Sequence, residues 1–388
     1  MSVAVAVGVS DDFDAASAFD EAAAAAREGL GGARCDLCLV FAGAPHLGHG
    51  EGILAVVHGQ LSPRVLVGCG AGGVVGGGRE IEEGTGAVVW ALSAPEARIE
   101  PLQLTTAPVD GGIALGGLPE EPADYGDAML VLADPNTFSA DALLIHLNEA
   151  RPAMPVLGGL ASAASERSAS LFLDGEVVDS GAVGCSLSGI ELLPCVSQGA
   201  APVGPEMTVT AVDGNLISEL ASRPALERLR EAIEELEPRE RDLAAEGLLL
   251  GVVIDENQPD YERGDFLVRP IVGVDPESGN LAFADRVRVG QTVRLHVRDS
   301  SSASEDLHEA LAARVAALGP AGAAGALLFT CNGRGAHMFA EPNHDAAAVE
   351  NAFGAPAGGF FCAGEIGPVG GRNFLHGFTA TMAVFPRE

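Results

Sequence analysis

Short apolar runs alternate with glycine-rich and polar loops along most of the chain. Residues 3–9 and 128–133 are continuous apolar segments of strand length, and 36–41 is apolar after Asp36, which is typical of strands buried on both faces. The alanine-rich segment 14–28 has serine and aspartate at its start and glycines after its end, and it predicts a helix. The pattern therefore predicts an α/β (α+β) fold of mixed β-sheets with packed helices.

Three segments repeat one order of elements. Each begins with an apolar strand, near residues 36, 128 and 326, and continues through a polar loop and a helix. A second strand then ends in small residues and glycine, and further strands follow. The sequence predicts three copies of a β-loop-α-β-β-β module, and resemblance through shared composition remains the open alternative.

The composition changes at the Gly/Pro-rich segment 195–205, which predicts a connector between two parts, 1–198 and 199–388. Beyond it, leucines and isoleucine at spacings of three and four predict an amphipathic helix near residues 222–236. Strands are then predicted at 247–255, 266–274, 279–284, 287–289 and 292–298, with the alternation of antiparallel strands. A further helix is predicted at 303–318, and Ser302 with Glu305 forms a capping box at its start.

Charge and residue usage exclude several classes of function. The 388 residues include 54 acidic and 22 basic side chains, for a net charge of −32, which disfavours binding to nucleic acid or anionic membranes. All basic residues are arginine, so a Schiff-base lysine and a phosphate-loop lysine are both excluded. An apolar content of 47% is enough for two cores.

Localisation follows from the N-terminus and the cysteines. Residues 1–9 have no basic flank and precede Asp11 and Asp12, which is typical of a strand and not of a signal peptide. The chain lacks an apolar run long enough for a membrane span. Seven scattered cysteines are unlike a secreted disulfide framework, so we expect a cytoplasmic protein with reduced thiols.

The segment after the third-copy strand carries the clearest binding chemistry. Cys331, Asn332, Arg334 and Gly335 belong to a strand end with two glycines, which lets backbone N–H groups turn toward a ligand. The guanidinium of Arg334 can donate two parallel hydrogen bonds to a carboxylate. A structural ion pair of Arg334 with Glu365, Asp345 or Glu341 is the open alternative.

A second polar group follows the next strand. Glu365, beside Gly364, is a carboxylate in a tight turn and is a candidate for a ligand ammonium, while capping of backbone N–H groups is the alternative. Cys69, Cys331 and Cys362 all lie at strand ends beside glycines, so a cysteine-dependent hydrolase or transferase is a second class of function. Small buried thiols commonly fill such positions, which favours a protein without enzymatic activity.

Metal and cofactor signals are weak. Cys35 and Cys38 fall at the start of a strand, where their spacing sends them to opposite faces, and His46 with His49 has no partner cluster. The glycines at 70–73 lack the lysine and the following helix of a phosphate loop. We therefore expect neither a metal nor a cofactor.

Three pairs of motifs carry a resemblance to the FIST family. They are Val40-Phe41-Ala42 with 67–72, Phe266–Arg269 with 290–295, and 328–335 with 359–368. The resemblance covers nearly the whole chain as an N-terminal and a C-terminal part. It implies an intracellular sensory module for small ligands such as amino acids, often fused to a signalling output, although no such output is visible here.

The sequence thus predicts a sensory protein in signal transduction that binds an amino acid-like or other carboxylate ligand. A scaffold protein of a signalling assembly is a further alternative, and a signalling partner protein is left open as a candidate. The resemblance supplies no catalytic residues. The predicted ligand-binding residues are Cys69, Cys331, Asn332, Arg334, Gly335, Cys362, Gly364 and Glu365.

Overall fold

A computed structural model describes residues 3–163 and 170–387 of the chain. The fold is mixed α/β and divides into two compact units. Unit 1 comprises Met1–Val196 and Leu307–Glu388, and unit 2 comprises Ser197–Asp306. Within the described ranges no helix is long and apolar enough to cross a membrane.

The elements follow one another in chain order. Up to residue 198 they are β1 (Ala4–Ser10), α1 (Ala15–Gly29), β2 (Leu37–Gly43), α2 (Gly50–Leu61), β3 (Val65–Ala71), β4 (Val74–Gly76), β5 (Arg79–Ile81), β6 (Ala87–Ser93), β7 (Arg98–Val109), β8 (Gly112–Gly116), β9 (Ala128–Ala133), α3 (Ala140–Ala150), β10 (Val156–Leu160), β11 (Leu171–Leu173), β12 (Glu176–Val178), β13 (Ala182–Ser188) and β14 (Leu193–Gln198). Next come β15 (Ala200–Asp213), β16 (Leu216–Leu220), β17 (Arg223–Pro224), α4 (Ala225–Glu234), α5 (Pro238–Glu246), β18 (Leu248–Val253), β19 (Phe266–Val274), β20 (Leu281–Phe283), β21 (Thr292–Arg298) and α6 (Ser300–Leu318). The chain ends with β22 (Ala323–Cys331), α7 (His344–Phe353), β23 (Ala357–Cys362), β24 (Glu365–Val369), β25 (Arg372–His376) and β26 (Thr379–Pro386).

Unit 1 contains three sheets that share one core. Their strand orders are β1-β6-β2-β3-β11-β12, β25-β24-β10-β9-β13-β7-β8 and β14-β26-β22-β23-β4-β5. Trp90, Leu130 and Phe329 bring one side chain from each sheet into that core. Because both faces of these sheets are covered, the strands are continuously apolar, which is the pattern seen in the sequence.

Each sheet of unit 1 contains a parallel pair of strands. The pairs are β2 with β3, β9 with β10 and β22 with β23, and the connections between their strands contain α2, α3 and α7 respectively. A parallel pair needs such a crossover, because its second strand must begin at the same end as the first. The carboxyl ends of each pair are therefore followed by loops, and these loops carry the predicted site residues.

Unit 2 is built on a closed ring of antiparallel strands. The ring has the order β15-β21-β18-β19-β20-β16, and a further pairing of β15 with β16 closes it. Phe283, Val293 and Leu295 are buried in the core of this unit. Helix α4 buries Leu226 and Leu229, which confirms the amphipathic helix predicted there.

Several details differ from the sequence predictions. The Gly/Pro-rich segment, which contains the division between the two units, is largely strand: most of it lies in β14 and β15, and a register shift between Val203 and Glu206 accommodates Gly204 at a φ of 63°. Residues 287–289 form no strand. Helix α6 begins at Ser300, so the predicted capping box lies inside it and not at its start.

The cysteine pair of the first strand also differs from its prediction. Cys35 lies before β2 begins, so strand alternation does not apply to it, and its thiol donates to the carbonyl oxygen of Leu37 at 3.4 Å. Both cysteines are buried in an apolar cluster with α1 and α2. Burial, with the neighbouring Cys35 thiol, raises the pKa of Cys38 well above its ordinary value.

Candidate functional site

The carboxyl ends of β3, β10 and β23 meet at one edge of unit 1. The backbone N–H of Gly72 donates to Ser162 Oγ at 2.9 Å, and the N–H of Ala363 donates to the carbonyl oxygen of Leu160 at 3.0 Å. In open α/β sheets ligands bind outside the carboxyl ends of strands, where loops diverge. We call this region the carboxyl-end edge, and most of the predicted site residues lie in it.

The loop after β22 has an exposed rim and a tight turn. Asn332 is exposed, and its Oδ1 lies 3.8 Å from the position that a β-carbon of Gly72 would occupy. Gly335 has a φ of 64°, and a β-carbon there would lie 2.5 Å from Glu82 Oε2. Since Glu82 accepts a hydrogen bond from Ala336 N at 2.8 Å, Gly335 makes room for a structural contact.

Arg334 is fully buried and forms a bidentate ion pair. Its Nε and Nη2 donate to the two carboxylate oxygens of Asp345 at 2.7 and 2.8 Å, and its guanidinium carbon lies 5.1 Å from the centre of the Phe339 ring. The structural ion pair left open by the sequence is therefore present, with Asp345 as the partner. Nη1 has no hydrogen-bond partner among the described residues.

Asp345 begins its helix with several donors around it. Thr330 Oγ1 donates to it at 2.7 Å, and His344 Nδ1 lies 2.9 Å away. Burial acts to raise the pKa of Asp345, but the charge and hydrogen bonds of Arg334, with those of His344 and Thr330, hold that pKa well below its ordinary value. Both groups of the Arg334–Asp345 pair are therefore ionised, and the pair has no net charge.

Glu365 is also fully buried and only half of its carboxyl group is used. Oε2 accepts hydrogen bonds from Thr379 N at 3.1 Å and Thr379 Oγ1 at 2.8 Å, so the predicted alternative of backbone capping is present. Oε1 has no geometric hydrogen-bond partner in residues 3–163 and 170–387, and the Cys331 thiol is the neighbouring group that acts on this carboxyl as a hydrogen-bond partner. Burial raises the pKa of Glu365 to about 8, against the hydrogen bonds from Thr379.

Three predicted cysteines surround Glu365. The thiol of Cys362 interacts electrostatically with Cys69, Cys331 and Glu365. Burial raises the pKa of all three thiols, that of Cys331 to about 12 with a further contribution from Glu365. A nucleophilic cysteine needs the opposite shift, so the raised pKa values favour the neutral thiol form at pH 7.

Folding therefore brings most of the predicted residues together. The Arg334–Glu365 cluster, as we call it, consists of Cys69, Cys331, Arg334, Asp345, Cys362, Glu365 and Thr379. Asn332 lies at the rim, and Gly335 and Gly364 make backbone contacts around it. The sequence named Asp345 only as one of three alternative ion-pair partners of Arg334. It gave no signal for Thr379, which lies 14 residues after Glu365 in an ordinary strand pattern.

A pocket of about 470 Å³ lies beside this cluster, at the start of α3. Thr106, Ile113, Asn136 and Ser139 are part of its lining, and we call it the α3 pocket. Its Leu160 and Leu375 lie 3.2 and 3.1 Å from the position of a Gly364 β-carbon. The pocket therefore borders the residue that precedes Glu365, although the lining contains none of the cluster side chains.

The buried carboxyl of Glu365 makes stability depend on pH. Its pKa is raised from 4.5 to about 8 in the folded chain, so between these values the folded state keeps a proton that the unfolded state has lost. We expect the free energy of unfolding to fall as pH rises through this window, by up to about 1.4 kcal/mol per pH unit, and Glu365→Gln to remove that slope. Urea titrations between pH 4 and 9, followed by fluorescence of the buried Trp90, measure it.

Glu80→Gln is the matched control for this experiment. Burial raises the pKa of Glu80 to about 7, while its Oε1 accepts a hydrogen bond from Ala346 N at 2.9 Å. This control should remove only a part of the slope that ends near pH 7. Identical pH profiles for the wild type and Glu365→Gln would show that Glu365 is ionised throughout.

Comparison with known proteins gives a consistent result. A family model for the FIST N domain matches residues 36–223, and a model for the FIST C domain matches residues 225–368. The uncharacterized protein Mb0898c of Mycobacterium bovis is 42% identical over 383 residues, covering 98% of each chain. The uncharacterized protein MT0656 of Mycobacterium tuberculosis is 41% identical over 98% of this chain and 99% of its own.

Proposed function

The chain belongs to the FIST family of sensory, signal-transduction domains, and from that premise we propose that it binds a small polar ligand at the carboxyl-end edge of unit 1. The ligand is an amino acid-like molecule or another carboxylate, and its binding is the signal passed to a partner protein. The proposed contacts are with Cys69, Cys331, Asn332, Arg334, Gly335, Cys362, Gly364 and Glu365.

One observation carries this proposal. Arg334 and Glu365 are both fully buried, lie within electrostatic reach of one another, and each keeps one hydrogen-bonding atom for which the described residues offer no partner. Buried polar atoms in native proteins are nearly always satisfied, by protein or by water or by a ligand. Two such atoms within one buried cluster, close to where three strand ends meet, support a polar group that binds there.

The proposed response needs binding alone. A ligand that satisfies both atoms stabilises the folded chain by mass action and restrains the loops after β22 and β23, which a partner protein then recognises. A cysteine-dependent reaction has less support, since the three thiols nearby have raised pKa values. The division of the chain into FIST N-terminal and C-terminal parts at residues 198 and 199 remains our proposal.

A ligand screen tests the proposal. Amino acids and small carboxylates are added to the purified protein, and its unfolding is followed by Trp90 fluorescence. A true ligand at one hundred times its Kd should stabilise the wild type by about 2.7 kcal/mol. Asn332→Ala, at the exposed rim, should weaken this response without changing the stability of the empty protein.

Asn136→Ala is the matched control, because Asn136 is an exposed asparagine in the loop after β9 and lines the α3 pocket. It should leave the ligand response unchanged. Loss of the response in Asn136→Ala alone would move the site to the α3 pocket. A protein that responds to no compound but purifies with a stable partner would favour the scaffold alternative.

A further inference from the structure

The unused atoms of the Arg334–Glu365 cluster define the kind of group it accepts. We propose that the carboxylate of the ligand lies between Nη1 of Arg334 and Oε1 of Glu365, with Glu365 as a hydrogen-bond donor, and that it reaches this position beneath Phe378. This inference rests on the proposed function and goes further, because it assigns Glu365 to the acid group of the ligand and excludes an ammonium there.

The hydrogen bonds of Glu365 decide which oxygen carries its proton. Oε2 accepts from both the backbone N–H and the hydroxyl of Thr379, so a proton on Oε2 would oppose two donors. In the neutral carboxyl the proton therefore lies on Oε1, which is the oxygen without a partner in the described chain. The raised pKa of Glu365 agrees with a neutral carboxyl at pH 7.

Arg334 supplies the second donor. Its Nε and Nη2 are held by Asp345, and that carboxylate balances the guanidinium charge, which leaves Nη1 as a fixed N–H donor. A ligand ammonium brings only donors and would face two donors. A carboxylate brings two acceptor oxygens and satisfies both atoms, so the cluster selects an anionic oxygen group.

Phe378 covers the approach to this position. It is a bulky residue with a φ of 64°, a left-handed backbone conformation that is strained for a side chain of this size. Its ring lies 2.9 Å from the position of a Gly333 β-carbon, and that position is 3.7 Å from the Cys331 sulfur. The half-buried ring and the buried Cys331 sulfur therefore both lie beside Gly333.

The same turn is tied to both sides of the cluster. The backbone of Phe378 is hydrogen-bonded to the Cys331 thiol, and the next residue, Thr379, holds Glu365. A movement of Phe378 out of its strained conformation would uncover Cys331 and Glu365 together. The strain lowers the cost of that movement, so this turn is the entrance to the site.

Two alkylating reagents test the inference at Cys331. Iodoacetate carries a carboxylate, iodoacetamide is its neutral analogue, and both form a carbon–sulfur bond as iodide leaves and the thiol proton passes to water. Peptide-resolved mass spectrometry gives the rate of each reaction at Cys331 in the full-length protein. Because both reagents react with the same thiolate, the ratio of the two rates does not depend on the fraction of Cys331 that is ionised.

We expect this ratio at Cys331 to be about tenfold higher in the folded protein than in the urea-unfolded chain, which is the factor expected for one charge-assisted hydrogen bond. The net charge of −32 acts in the opposite direction, since it repels iodoacetate. An equal or lower ratio in the folded protein would overturn carboxylate recognition. The ligand screen would still test the proposed function by itself.

The pH profile of the ratio separates recognition by Glu365 from simple access. Arg334 is the cation that acts on Glu365, and Cys331 and Cys362 are neighbouring ionisable thiols that interact with its carboxyl group. The preference for iodoacetate should disappear as pH rises through about 8, where Glu365 ionises and repels the reagent. Glu365→Gln keeps a neutral donor and should keep the preference at pH 9, so a variant with the wild-type profile would contradict the assignment.

Phe378→Gly tests the entrance. Glycine adopts a φ of 64° without strain, so the variant folds, and loss of the ring should raise the rates of both reagents at Cys331 several-fold. Phe374→Ala removes a half-buried ring from β25, the strand that precedes Phe378, and should leave both rates unchanged. Equal rates in the wild type and Phe378→Gly, including no reaction in either, would overturn this route.

Discussion

Arg334→Ala is expected to lower the free energy of unfolding of unit 1 by about 3–5 kcal/mol. The variant removes a fully buried guanidinium and leaves the buried Asp345 carboxylate without its two charge-assisted hydrogen bonds. The remaining donors, Thr330 Oγ1 and His344 Nδ1, compensate only part of that loss. Because an unpaired buried charge is costly, the effect should approach the upper end of the range.

Urea denaturation followed by Trp90 fluorescence measures this change, since Trp90 is the single tryptophan and is buried in the shared core of unit 1. Arg223→Ala is the matched control, because Arg223 also contacts two carboxylates but on the surface, and it should change stability little. Replacing Arg334 and Asp345 together by Met and Leu should recover most of the loss. Equal effects for Arg334→Ala and Arg223→Ala would show that the buried ion pair contributes no more to the free energy of unfolding than the exposed one.

Gly359→Ala is expected to destabilise unit 1 by about 3 kcal/mol. A β-carbon at Gly359 would lie 1.7 Å from the carbonyl oxygen of Leu328, which is its partner across the parallel pair of β22 and β23. That oxygen belongs to a central strand and cannot move without disturbing its neighbours on both sides. The two strands would separate locally, next to the Arg334–Glu365 cluster.

Gly59→Ala is the control for this glycine. Gly59 lies within α2, and no atom is within 4 Å of the position of its β-carbon, so alanine should stabilise the helix by about 0.5–1 kcal/mol. Opposite signs for the two variants, in the same denaturation assay, are the expected result. A Gly359→Ala protein as stable as the wild type would mean that β22 and β23 are farther apart than described here.

The same close approach recurs in the other two parallel pairs. β-carbons at Gly68 and Gly158 would lie 2.2 Å from the carbonyl oxygen of Val40 and 1.8 Å from that of Val131, again their partners across the pair. This recurrence supports the interpretation of three module copies, which remains our interpretation. It also gives a physical reason for glycine in each second strand, where any side chain would meet the neighbouring backbone.

Some features of the chain were determined by local pattern. The buried strands, the helices that cross between parallel strands and the antiparallel strands of unit 2 follow from hydrophobic periodicity and turn residues, which act over a few neighbours. The Gly/Pro-rich segment 195–205 does contain the division between the two units, but its strand structure was not predicted, since a β-bulge at Gly204 lets most of it continue as strand. Pattern alone does not reveal such a bulge, because the partner strand begins about ninety residues later.

For the candidate site, the sequence by itself determined which polar residues follow the strands: Arg334, Glu365 and the cysteines at the strand ends. The tertiary structure alone decided their partners and charge states. Asp345 occupies two nitrogens of Arg334, and burial keeps Glu365 neutral with one oxygen unused. Desolvation and hydrogen bonding depend on residues distant in the chain, so a pattern of neighbours does not contain them.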